Sequence, residues 1–270
     1  MTIDQSPLGK PTSYPERYDA SLLFPIERLA QRMQLGIADA QPFSGVDIWT
    51  AYELTWLDGR GRPLVAVAEI RIGAESPAIF ESKSLKLYLG SYAHERVGTI
   101  EELRRRIETD LSKACAAPVD VVLLESPAML RVAELPGESI DDCDVAVDTR
   151  EPDPMLLKRG SGFVEESLRT ALFRCICQVT GQPDYADVAV HYRGARIDRG
   201  ALLRYLVSYR QHGALHETCV ERIFIDIGSR CRPEQLTVYA RFLRRGGIDI
   251  NPFRTNFEPA PRRNERTPRQ

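Results

Sequence analysis

Apolar residues come in short bursts divided by polar turns, and their spacing changes along the chain. Ile48 to Leu57 and Leu64 to Ile72 are rich in apolar residues and bracket Asp58-Gly59-Arg60-Gly61-Arg62-Pro63, which predicts two strands joined as a hairpin. Thr99 and Glu102 form a capping box, and Ile100, Leu103, Ile107 and Leu111 follow at helical spacing. Val119 to Leu124 predicts another strand. Ahead of these, an irregular arm carries Pro7, Pro11, Pro15 and Pro25, with a short helix expected around Glu27 to Leu35.

The second half repeats the plan. Leu168 to Cys177 and Ala186 to Tyr192 predict strands around a turn forced by Gly181 and Pro183. In the first of these, Arg169, Ala171, Phe173, Cys175 and Cys177 are expected to share one face. Leu202 to Tyr209 predicts a helix capped by Asp198. Val220 to Ile227 and Leu236 to Phe242 predict strands, with Arg244-Arg245-Gly246-Gly247 as the loop after the second. Leu85 to Tyr92 and Leu202 to Tyr209 agree at five of eight positions, each after a hairpin of similar design. The pattern predicts an α+β fold of two similar modules, each an antiparallel sheet backed by helices. The expected boundaries are an N-terminal module with its arm over 1–129, an excursion over 130–160, a C-terminal module over 161–257 and a polar tail over 258–270. Leu130 to Asp153 holds eight acidic residues against two basic ones, which reads as a solvated connector. The tail, with Arg262, Arg263, Arg266 and Arg269 but no interleaved aromatics, is expected to be disordered.

Composition narrows the function classes. The chain has 270 residues, 43% of them hydrophobic, and a net charge of -2. No global field favours nucleic acid or a membrane, and no apolar run approaches the ~20 residues a membrane helix needs. The first ten residues lack a signal pattern, so a cytoplasmic protein is expected. The six cysteines are expected to be free thiols in a reducing compartment, and no Cys-x-x-Cys pair suggests a metal site.

The candidate chemistry lies in Cys177-Gln178-Val179-Thr180-Gly181-Gln182-Pro183-Asp184. A turn there returns a carboxyl toward a thiol, which suits a nucleophile and a proton donor. The same residues also fit a buried cysteine at a strand end followed by a polar turn. His216 and Glu217 read in isolation as a surface pair. They are not half of a zinc-protease helix, because Val220 stands where the second histidine is needed. No Gly-x-Gly-x-x-Gly occurs, so a Rossmann domain is excluded.

Several stretches together resemble one family. Glu81-Ser82-Lys83-Ser84-Leu85-Lys86-Leu87-Tyr88, Cys177 to Asp184, His216-Glu217-x-Cys219-Val220-Glu221-Arg222 and Arg244 to Pro252 resemble segments of the NADPH-dependent 7-cyano-7-deazaguanine reductases, the QueF family, in its bimodular form. Leu22 to Ile26 and Leu35-Gly36-Ile37 are similar too, so the likeness runs from about Leu8 to Thr255. Glu165 to Leu172 departs from the family's pattern.

The resemblance implies two tandem tunnelling-fold modules, a homodimer, and reduction of the nitrile of 7-cyano-7-deazaguanine to a primary amine in queuosine biosynthesis. It implies two NADPH as co-substrate, no metal, and no direct contact with nucleic acid or membrane. Cys177 is then the nucleophile that forms a thioimide, and Asp184 the proton donor. Phe80, Glu81, Ser82, His216 and Glu217 bind the substrate. Ser82, Lys83, Arg245 and Gly246 bind the cofactor, while Cys175 is structural. The rival readings are a tunnelling-fold hydrolase or epimerase, and a purine- or pterin-binding protein without reductase activity.

Overall fold

A computed structural model describes residues 3–10, 13–37, 40–126 and 130–270. They form two compact units, one drawn from 1–38, 46–131 and 244–250, the other from 39–45, 132–243 and 251–270.

In the first unit a hairpin of β2 (Ser44–Leu57, here from Val46 onward) and β3 (Pro63–Gly73) is extended by β5 (Val119–Leu124), all antiparallel in the order β5-β3-β2. A small second sheet pairs β1 (Pro25–Glu27) with β4 (Ala78–Phe80), and α1 (Arg28–Gln34) follows β1. Two helices, α2 (Ser82–Gly90) and α3 (Ile100–Cys115), supply Leu85, Tyr88, Leu103, Ile107 and Leu111 to one core with Ala66, Ala68, Ile70 and Ile72 of β3. The capping box is half closed. Thr99 Oγ accepts from Glu102 N at 3.1 Å, but the Glu102 carboxylate accepts from Gly98 N at 3.3 Å.

In the second unit β7 (Arg159–Ile176) and β8 (Pro183–Ile197) form a long hairpin. The order is β10-β9-β8-β7-β6, with β9 (Gln235–Phe242), the later part of β10 (Ile248–Thr255) and a short parallel β6 (Glu138–Ser139). α4 (Arg199–Val207) packs on β7, and α5 (His216–Cys231) on β9. Asp198 caps α4 by accepting from Ala201 N at 2.7 Å. The α+β class and the two antiparallel modules backed by helices are therefore observed.

The internal repeat is physical as well as textual. Tyr88 and Tyr92 hydroxyls lie 2.9 Å apart, and Tyr88 donates to Asp110 at 2.6 Å. Tyr205 and Tyr209 hydroxyls lie 2.7 Å apart, and Tyr205 donates to Asp226 at 2.6 Å. Burial of these hydroxyls pushes all four tyrosine pKa values up. Each hairpin also carries a bulge in its first strand, between Ala51 and Leu54 and between Thr170 and Phe173.

Three expectations are corrected. The bulge in β7 reverses the side-chain phase, so Leu168 and Thr170 are buried before it and Phe173 and Cys175 after it. Arg169 and Ala171 therefore do not share the face of Cys175. The segment Val220 to Ile227 is helical, not a strand. Its β-branched residues mask a stripe of Val220, Ile223, Phe224, Ile227 and Cys231 at i, i+3, i+4, i+7 and i+11. The tail is packed rather than disordered. Arg241 is only 2% exposed, and its guanidinium donates to Gln270 at 2.7 Å and to Asn264 at 2.8 Å, acceptors that a buried charge requires. The acidic excursion is likewise bonded: Asp141 accepts from Thr170 Oγ at 2.5 Å and from the bulged Ala171 N at 3.1 Å, and Glu138 pairs with Arg199 at 2.5 Å.

Candidate active site

Cys177 follows β7 directly and closes the hairpin. Its N–H donates to Gln182 O at 2.8 Å, and its carbonyl accepts from Gly181 N at 2.9 Å. Gly181 has φ +69°, a conformation that favours glycine and permits the tight return. The ladder sets Ile176 opposite Pro183 and Cys175 opposite Asp184. Asp184 is thus a diagonal neighbour of Cys177 on one face, a spacing within side-chain reach. Both are buried, the thiol at 9% exposure and the carboxyl at 3%.

The N-terminus of α5 completes this cluster. His216 stacks flat on Phe242, with ring centroids 3.9 Å apart and planes 9° apart, and its Nε2 lies 3.3 Å from Asp184 Oδ2. Its Nδ1 is buried and has no hydrogen-bond partner among the described residues. Glu217, next in α5, is buried at 4% exposure in the first helical turn, where the helix dipole favours a carboxylate. Four of the expected residues, Cys177, Asp184, His216 and Glu217, therefore belong to one unit. Two hairpin strands, one turn and one helix start position them.

The other expected residues belong to the first unit. Phe80 ends β4 with its ring in the core, 5.0 Å edge-to-face from Trp49, so its side chain serves packing. Glu81 caps α2, accepting from Lys83 N at 2.6 Å, Ser84 N at 2.8 Å and Ser82 Oγ at 3.2 Å. Burial raises its pKa, opposed by these bonds. Lys83 donates its ammonium to Lys10 O at 2.7 Å and Pro7 O at 3.2 Å, tying the arm to α2.

Arg245 and Ile248 exchange backbone bonds at 2.9 and 3.2 Å around Gly246 (φ +58°) and Gly247 (φ +77°). This is the two-residue turn that demands positive φ at both central positions. Its two glycine amides have no acceptor among the described residues. A Cβ on Gly246 would stand 2.8 Å from Lys86 Nζ. A cavity of about 120 Å³ borders the turn, lined in part by Tyr14, Glu53 and Lys86. Exposed amides beside Arg245 suit a phosphate, while Lys86 there is paired with Glu53 at 3.6 Å, so a phosphorylated cofactor fits this turn with Glu53 displaced from Lys86.

Among the described residues, no group of three or more His, Cys, Asp or Glu could hold a metal ion, and no helix is long and apolar enough to cross a membrane. None of the six cysteines is in a disulfide. Sequence reasoning missed Lys86, Phe242 and the run His212-Gly213-Ala214. Phe242 looked like any core strand residue, whereas the small residues at 213 and 214 did carry a signal for close backbone approach.

Two family descriptions match the chain: "Nitrile reductase, 7-cyano-7-deazaguanine-reductase N-term" over residues 14–123 and "QueF-like protein" over 183–261. Cys177 lies between the two matched stretches. The curated NADPH-dependent 7-cyano-7-deazaguanine reductase of Bordetella pertussis is 52% identical over 273 residues, covering all of both chains. That of Burkholderia cenocepacia is 52% identical over 277 residues, again covering both completely. Likeness to the solved apo form of the archaeosine synthase QueF-Like is slight, with 19% identity, a TM-score of 0.32 and 37% of this chain covered, and carries no weight. Full-length identity at this level, with a family match in each half, means that the chain belongs to the bimodular QueF family of NADPH-dependent 7-cyano-7-deazaguanine reductases.

Proposed function

We propose that the chain reduces the nitrile of 7-cyano-7-deazaguanine to the aminomethyl group through a thioimide on Cys177. The observation that carries this reading is the contact of His216 with Asp184, at 3.3 Å, on the hairpin that presents Cys177. Family membership supplies the substrate class; the hairpin supplies the groups.

A nitrile carbon accepts hydride poorly, because charge develops on a nitrogen with nothing to hold it. Cys177 passes its thiol proton to the Asp184 carboxylate, the sulfur adds to the carbon as one bond of the C–N triple bond opens, and Asp184 delivers that proton to the nitrogen. NADPH supplies the two hydrides that complete the four-electron reduction. The tetrahedral adduct expels the Cys177 thiolate and leaves an imine at the substrate, ready for the second hydride. The Cys177 thiolate recovers its proton from water, and His216, stacked on Phe242, holds the Asp184 carboxyl in place. On its own unit, Glu217 is the proposed contact for the guanine-like edge, since a carboxylate accepts two N–H bonds there, and Glu81 and Ser82 are proposed substrate-binding residues of the first unit. Phe80 contributes its backbone and packing. Ser82, Lys83, Arg245 and Gly246 are the proposed cofactor contacts, with Lys83 leaving the carbonyls of Pro7 and Lys10 to reach a phosphate.

Six cysteines without a disulfide suit a cytoplasmic setting, and a homodimer is the proposed assembly, checked by sedimentation. Loss of NADPH absorbance on adding 7-cyano-7-deazaguanine tests the reaction. A purified, folded protein that consumes no NADPH with this nitrile would rule it out.

A further inference from the structure

The chain from Arg210 to Leu215 grips the nucleophile's two neighbours. Ile176 N donates to His212 O at 3.0 Å, Ala214 N donates to Ile176 O at 3.3 Å, and Ile176 pairs with Gly213 as a parallel bridge. On the other side of Cys177, Gln178 packs on Gly213: a Cβ at position 213 would stand 3.2 Å from Gln178 Cα and 3.4 Å from its Cβ. Gly213 has an ordinary backbone conformation, so its lack of a side chain is used for closeness and not for φ. The strap ends at Leu215, the N-cap of α5, immediately before His216 and Glu217. One stretch of six residues therefore runs from the thiol's neighbours to His216 and Glu217, the first two residues of α5.

The strap is itself held from outside by the acidic excursion. Gln211 N donates to Arg150 O at 3.2 Å, and His212 Nδ1 lies 3.3 Å from Glu151 Oε2. The His212 ring stands edge-on to Tyr209, with centroids 5.5 Å apart. Arg174 of β7 donates to Arg210 O.

We propose that this strap aims Cys177 at the nitrile carbon, with Gly213 as the positioning residue and Glu151 of the acidic excursion steadying the strap. The proposal rests on Cys177 being the nucleophile. It gives the acidic excursion a role beyond connection, because its carboxylate reaches the active-site loop through one histidine.

Gly213→Ala forces Gln178 to give by a few tenths of an ångström. A 1 Å misplacement of reacting groups costs roughly a hundredfold, so roughly a tenfold loss follows from this smaller shift. The test compares wild type, Gly213→Ala, Glu151→Ala and Cys177→Ala in their full chains. Five quantities are measured: turnover, the Michaelis constant for NADPH, the rate of adduct formation with 7-cyano-7-deazaguanine without NADPH, the alkylation rate of Cys177 by iodoacetamide, and the thermal midpoint.

In Gly213→Ala, adduct formation and turnover fall together about tenfold, while alkylation and the Michaelis constant for NADPH stay within about twofold of wild type. Alkylation needs only an accessible thiol, whereas addition to the bound nitrile needs an aimed one. In Glu151→Ala the adduct rate falls by a smaller factor, about twofold to threefold, at an unchanged midpoint. Wild-type adduct rates in both variants overturn the proposal, as does a parallel fall in alkylation, which would mean a merely shielded thiol. If Gly213→Ala does not fold, Glu151→Ala decides alone, and a wild-type rate there overturns it. An adduct in Cys177→Ala instead overturns the assignment of the nucleophile, which keeps the two failures apart.

Discussion

Replacing Asp184 by Asn separates the proton-donor role from a structural one. Asp184 is the second residue of β8, opposite Cys175, and the turn before it is shaped by Gly181 at φ +69°. Asn keeps the size of the side chain and an acceptor for His216 Nε2, now 3.3 Å from Oδ2, but it has no proton to give. General acid catalysis contributes about 10²–10⁴ in rate, which is roughly 3–5 kcal/mol of barrier. The folding cost is smaller. Weakening one buried hydrogen bond costs about 1 kcal/mol, or roughly 2–4 °C in the thermal midpoint for a domain of ordinary size. Turnover by NADPH absorbance and the midpoint by scanning calorimetry, on the same preparation, therefore read two effects of different size. A fall of at least a hundredfold with a shift of only a few degrees is expected. Turnover within about threefold of wild type refutes the acid role, since Asn can supply shape and bonding but not a proton.

Cys175→Ala removes a fully buried thiol and is expected to cost about 1–2 kcal/mol of stability while leaving turnover near wild type, which urea unfolding and steady-state assays check. Arg245→Ala is expected to raise the Michaelis constant for NADPH about ten- to a hundredfold more than that for NADH, as a charge-assisted phosphate contact is worth roughly 1.5–3 kcal/mol; equal losses would assign Arg245 to the turn alone. Glu221→Ala is expected to cost about 3–5 kcal/mol, because it strips Arg254, 0% exposed, of a carboxylate held at 2.9 and 3.1 Å; a loss under about 1 kcal/mol in urea unfolding contradicts this.

Much of this architecture was legible because period and punctuation agreed. Val119–Leu124 is bounded in the fold as the apolar run suggests, and Asp198 caps α4. The short match between residues 85–92 and 202–209 proved to be two copies of one hydroxyl network around Asp110 and Asp226. The failures have physical causes. A bulge adds one residue to a strand and leaves no mark in composition, so the phase of Arg169 and Ala171 was unreadable. In α5 the β-branched residues of Val220 to Ile227 spoke for a strand, while the stop signal, Arg232 in the left-handed conformation (φ 48°) followed by Pro233, lay beyond them. The tail looked disordered because it is polar, rich in arginine and proline, and has no interleaved aromatics. Its order comes from long-range contacts that no local pattern reveals: the Arg241 guanidinium to Gln270 and Asn264, Gln270 to Phe242 O and Asn251, and Arg269 to Ala171 O. At the candidate site, the residue types were readable, but the stacking of His216 on Phe242 depends on a strand 26 residues away in sequence.

Intact-mass measurement with 7-cyano-7-deazaguanine and no NADPH tests the covalent route most directly. The thiol of Cys177, closed into its hairpin diagonally from Asp184, is the only atom this mechanism allows to bond the nitrile carbon. The wild-type protein and Cys175→Ala are expected to gain the mass of one substrate molecule per chain, with the label on the peptide holding Cys177, and Cys177→Ala to gain none. An adduct that persists in Cys177→Ala, or one that maps to Cys175 in the wild-type chain, would contradict the account.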